Sequence, residues 1–118
     1  MKIITTRDSV AAGDDVDAPH RREFEFADGT SLPDALTTIA RSNYLVSISG
    51  GKATWSAVSS VTLAVIAQEW AAPKNLFLGD KESLDIRNSA LHIHFNYHAQ
   101  IDPEVVYEIL RGLRLKSY

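Results

Sequence analysis

Apolar and polar residues alternate in RREFEF, residues 21–26: Phe24 and Phe26 fall on one side, Glu23 and Glu25 on the other. A period of two predicts a half-buried strand. KIITTRD, residues 2–8, is rich in β-branched residues and predicts an earlier strand. Between them SVAAGDDVDAPH, residues 9–20, has no period, and its glycine, aspartates and proline predict a loop. The period then changes. Leu32, Ala35, Leu36, Ile39 and Ala40 share one face of a helix. Ser31 is placed to cap it, with Asp34 three residues on; Pro33 is tolerated in the first turn, and Asn43 is the expected left-handed terminator.

Gly50 and Gly51 break the chain. KATWSAVS (52–59) and VTLAVIAQEW (61–70) predict two antiparallel strands joined at Ser59-Ser60, the second apolar enough to be central and closed by Pro73. NLFLG suggests another short strand, and DKESLDIRNS (80–89) predicts irregular chain. LHIHFNYH then alternates again, with Leu91, Ile93, Phe95 and Tyr97 inward. Asp102 and Pro103 start a last helix, whose apolar stripe is Val105, Val106, Ile109, Leu110 and Leu113. Arg111, Arg114 and Lys116 crowd its C-terminal end, opposing the negative end of the helix dipole. The predicted order is β-β-α-β-β-(β)-β-α in a single domain spanning residues 1–118. Paired strands make this an α+β fold, with a mixed or antiparallel sheet and both helices on one face. The hairpin, FADGTSLPDAL and the first helix resemble a β-grasp unit.

Composition narrows the chemistry more than the fold. A net charge of −3 argues against direct nucleic-acid binding, which needs a basic surface. The absence of cysteine excludes disulfides and thiol nucleophiles. MKIITTRDSV lacks the apolar core of a secretory signal, and no apolar run is long enough to span a bilayer; a cytoplasmic protein is expected. No cofactor is expected.

Three histidines and an asparagine, His92, His94, Asn96 and His98, occupy every second position of the last predicted strand. Neighbouring same-face residues sit about 6.5–7 Å apart, so His92 and His94 can reach one zinc ion, with His98 further along. The strand carries no acid on that face, and Asp102 lies beyond its end. The simplest expectation is therefore a wet face. A metal-dependent or histidine-based hydrolase on His92, His94 and His98 stands as the alternative, and an assembly or scaffold module as another. No Gly-x-Ser-x-Gly elbow occurs, and SGGKATW lacks Walker spacing, so it reads as a glycine hinge.

GDDVD clusters Asp14, Asp15 and Asp17 in a stretch with no cation, and its spacing is not that of an EF-hand. An anionic patch on these residues, extended by Glu23 and Glu25, would select a basic partner. RDSVAAGDDVDAPH, FADGTSL, GGKATW and AVIAQEWAAPK together resemble the immunity proteins of bacterial polymorphic-toxin and contact-dependent growth inhibition systems. That resemblance covers most of residues 1–73. It implies binding and neutralisation of a cognate toxin, a nuclease for example, without chemistry by the inhibitor. The β-grasp sulfur carriers are a second likeness in shape, but they act through a C-terminal Gly-Gly, and this chain ends Leu-Lys-Ser-Tyr.

Overall fold

The computed structural model describes residues 1–46, 48, 50–76 and 84–116, without the side chains of residues 12 and 114–116. The fold is α+β: a mixed seven-stranded sheet and two α-helices. The strands are β1 (Lys2–Arg7), β2 (Arg22–Glu25), β3 (Thr54–Ser59), β4 (Val61–Ala67), β5 (Lys74–Asn75), β6 (Ile86–Arg87) and β7 (Ala90–Tyr97); the helices are α1 (Leu32–Arg41) and α2 (Pro103–Lys116). Spatial order is β2-β1-β7-β3-β4-β5, with β6 pairing the start of β7. Among the described residues only β1 and β7 run parallel; the other pairs are antiparallel. The last strand thus lies in the middle of the sheet, which is why its inward residues are so apolar.

α1 starts as its sequence predicts: the Asp34 amide donates to Ser31 Oγ at 3.2 Å. Its stripe presses Ala35, Leu36 and Ile39, all fully buried, onto Ile3, Ile93, Phe95 and Trp55. The hairpin and helix of the β-grasp comparison are therefore present in the first half. The helix ends differently. Asn43 is not left-handed; Ser42 closes the helix in extended conformation, its hydroxyl donating to the Ile39 carbonyl at 2.6 Å. A serine that satisfies an orphan carbonyl removes the need for a left-handed residue.

The helices do not share a face. Ala64 and Ile66 of β4 point to α1, whereas Val65 between them packs with Val106 of α2. Alternation along a mostly apolar strand puts one core on each side of it. The predicted α2 stripe splits accordingly: Val106 is buried and Leu110 partly so, while Val105 and Ile109 are 47% and 59% exposed. The two middle strands are shorter than predicted at the outer end. β4 stops at Ala67, where Gln68 turns and its Oε1 accepts the Ile48 and Ala53 amides, well before Pro73.

Residues 9–20 are not wholly irregular, because Ala12–Asp17 forms a 3₁₀ helix. Nor are residues 84–90: β6 and β7 make a hairpin through Asn88 and Ser89, both at positive φ (52° and 62°). Residues 80–83, and residues 77–79 of the NLFLG prediction, lie outside the described residues. Two left-handed residues in a two-residue loop match the twist of the flanking strands, and glycine fits the second position best. Ser89→Gly should therefore raise stability by about 0.5–1 kcal/mol, read as a higher urea midpoint at unchanged slope.

Candidate functional site

Residues paired across strands share a face, and on the face opposite α1 they form rows. Val65, Ser56 and Asn96 make one row, Val58, His94 and Thr6 the next, and His92, Ile4 and Glu23 a third. α2 lies over the Val65 end. The histidine positions are half-buried rather than wet, and His94 is the middle member of its row.

The carboxylate that the strand itself lacks comes from its parallel neighbour. Where β1 ends, the Asp8 amide donates to the Phe95 carbonyl at 3.0 Å, which keeps Asp8 alongside β7. Its Oδ2 accepts the Tyr97 amide at 2.8 Å, and its Oδ1 stands 2.9 Å from His94 Nε2. On the other side of the ring, Thr6 Oγ1 is 2.7 Å from Nδ1. If Nε2–H donates to the carboxylate, Nδ1 carries the lone pair and the threonine hydroxyl donates to it. Burial pushes the Asp8 carboxyl up, but the Tyr97 amide and His94 outweigh it and hold the carboxyl below its usual value. Asp8, not Asp102, is thus the acid of this face. Nothing local in the sequence marks it, since its placement depends on pairing residues nearly ninety positions apart.

His92, His94 and His98 do not converge. His98 Nε2 lies 2.8 Å from Ser56 Oγ, and both ring nitrogens of His94 are engaged as described. Among the described residues no three His, Asp or Glu side chains group as metal ligands. His92, His94, Thr6, Ser59, Asp85 and Arg87 instead border an open depression of about 290 Å³. A second depression of about 230 Å³, beside Arg41, Trp55 and Gln68, holds no histidine.

Burial lowers the His98 pKa below its ordinary 6.5, and Asp8 only partly opposes this. A base with a depressed folded pKa contributes stability above its unfolded pKa and loses it as pH falls. Thermal stability should accordingly decline as pH drops from about 6.5 toward 5, the range in which an unfolded histidine takes up its proton. His98→Gln should flatten that part of a melting-temperature profile; an unchanged slope would remove His98 as its source.

The acidic segment resolves into residues with different duties. Asp14 is an internal strut. Arg7, only 8% exposed, donates to its two oxygens at 2.7 and 3.1 Å, and the Val10 amide adds a bond at 3.0 Å. The Arg7 guanidinium above all, then that amide, holds the Asp14 carboxyl far below the usual range. Behind it, His20 Nε2 meets Ser9 Oγ at 3.0 Å, and the Tyr44 hydroxyl donates to the His20 carbonyl at 2.7 Å. Asp15 and Asp17 are exposed, and the Val16 side chain between them is 85% exposed. Glu23 and Glu25 also point outward from edge strand β2, but not as free charge. Glu23 meets Arg21 at 2.8 Å and Lys2 at 3.9 Å, and the Arg21 contact foremost lowers its pKa. Glu25 is 3.4 Å from the Met1 amino group. The five acids predicted as one patch therefore reduce to Asp15 and Asp17 as acids without an ion pair among the described residues. Val16, which no periodicity singles out, joins them.

No helix among the described residues is long and apolar enough to cross a membrane. Comparison with protein families, curated proteins and solved structures finds no match to this chain.

Proposed function

We propose that this chain is an immunity protein that binds a cognate basic toxin domain in the cytoplasm and neutralises it by a protein–protein interface. One observation carries the reading. An almost fully exposed valine, flanked by two aspartates without an ion pair among the described residues, caps a turn that the Arg7–Asp14 ion pair holds from beneath. An apolar tip in an acidic collar, fixed in advance, loses little conformational freedom on docking and is steered by a positive surface. A nuclease, whose cleft is built to receive phosphate, is a partner of that charge. The test is expression of the neighbouring open reading frame with and without this chain. Its product should be toxic alone and harmless with it, and Val16→Ser combined with Asp15→Asn and Asp17→Asn should weaken binding at least about tenfold, as loss of a central anchor does. A harmless neighbouring product overturns the immunity reading; undiminished affinity of the triple variant removes this turn from the interface.

A second reading, a histidine-based hydrolase, is favoured by the Asp8–His94–Thr6 chain of hydrogen bonds at the edge of the 290 Å³ depression. In that arrangement Thr6 would be the nucleophile, His94 the base and Asp8 its orienting partner. A fluorophosphonate probe should then phosphonylate Thr6 Oγ1, with fluoride leaving and His94 taking the hydroxyl proton, in the native protein and not in His94→Ala. An unlabelled native protein rules this reading out.

A further inference from the structure

The outer face of α2 poses a problem that the fold alone does not answer. At 100° per residue, Val106, Leu110 and Tyr107 turn toward β4, and Val105, Ile109 and Gly112 lie roughly 150° around the helix from the centre of that buried face. Val105 and Ile109 are 47% and 59% exposed, and Ile101, just before the helix, is 52% exposed. Gly112 closes this strip at its C-terminal end. Its backbone is helical, not left-handed, and a Cβ built there would meet nothing within 4 Å. A glycine inside a helix weakens it, and neither the backbone nor the packing of the described residues requires this one.

We propose that α2 is the seam of a homodimer, in which two copies stack this strip face to face with their helices antiparallel. The occupant is a second copy because the strip is complementary to itself. About a twofold axis passing near Ile109, the two Ile109 side chains meet, and Val105 of each copy lies over the partner's Gly112, where the missing side chain lets the backbones approach. The flank of the strip repeats the complementarity in charge. Glu108 precedes Arg111 by one turn, and these two are exposed and, among the described residues, pair with each other at 3.5 Å. Reversal of the second helix sets Glu108 of each copy opposite the partner's Arg111, and the helix dipoles oppose as well. Each sheet keeps its own α2, so the dimer is layered sheet, helix, helix, sheet. The seam is one helix wide, which places it in the small-interface class and its dissociation constant in the micromolar range.

Sedimentation equilibrium tests this without any toxin, so its outcome is separate from that of the immunity reading. The native chain should be mostly dimeric at about 100 µM, as a micromolar interface requires. Ile109→Asp and Gly112→Leu should each be monomeric there, with unchanged far-ultraviolet circular dichroism, because neither residue faces the core. Glu108→Arg and Arg111→Glu should each dimerise at least tenfold more weakly alone, since each places like charges across the seam. Mixed one to one, they should regain the native dimerisation constant as a heterodimer. A monomeric native chain, or a dimer indifferent to Gly112→Leu and Ile109→Asp, overturns the proposal. Failure of the mixture to recover overturns the antiparallel pairing on which it is built.

Discussion

Asp14→Ala should lower the unfolding free energy by about 3–4 kcal/mol, the cost of leaving a buried charge without its partner. Arg7 stays where it is, 8% exposed, with two of its hydrogen bonds gone and its Nε already without an acceptor among the described residues. Arg7→Met should cost less, about 1–2 kcal/mol, because Asp14 is 24% exposed and can turn to water. The asymmetry is the informative part, and urea titration of the two variants measures it. Acid should reveal the same residue. A carboxylate whose folded pKa is depressed contributes stability fully above its unfolded pKa, about 3.9, and loses it as pH falls toward the folded value. The native protein should therefore weaken steeply below about pH 4, and Asp14→Ala should show a shallower slope there. Equal losses in Arg7→Met and Asp14→Ala would mean that the pair is hydrated and that the turn above it is not rigidly held.

Phe95→Ala should have the largest effect of any single truncation, about 3–5 kcal/mol. Phe95 is fully buried at the centre of the central strand, opposite Arg7 on one side and Ala57 on the other. It meets the Tyr44 ring edge-on at 6.0 Å. Arg7 and Ala57 offer no group that can collapse into the vacated space. Against a total stability of about 5–15 kcal/mol for a domain of this kind, that loss is a large fraction, and the melting temperature should fall by many degrees. A melting temperature within a few degrees of the native value would place the core elsewhere.

Much of this architecture is legible in local pattern because local interactions decide it. Ser31, the leucine and isoleucine spacing of α1, the Phe24/Phe26 alternation and the inward residues of β7 each report a face that neighbours in sequence already define. What escapes is whatever depends on distant pairing. The burial of Val65 on a second face is invisible within the apolar run Leu63–Ala67. The acid for His94 is supplied by Asp8 across a parallel ladder, and the counter-charge for Asp14 lies on a strand assigned to another element. An exposed apolar row such as Val105 and Ile109 looks the same in sequence as a buried one. The acidic cluster was readable as a cluster, but its division into strut and surface was not.

The parallel ladder between β1 and β7 also has a consequence in time. Residues 2–7 reach their sheet partner only when residues 90–95 have been made. Until then the emerging N-terminal hairpin has one open side, an unpaired backbone rail. Closure across so long a loop slows the committed step of folding, and synthesis at a modest pace leaves that rail bare for several seconds. A ribosome-bound chain stalled before residue 90 should thus be a target for chaperones and proteases, whatever the finished molecule does.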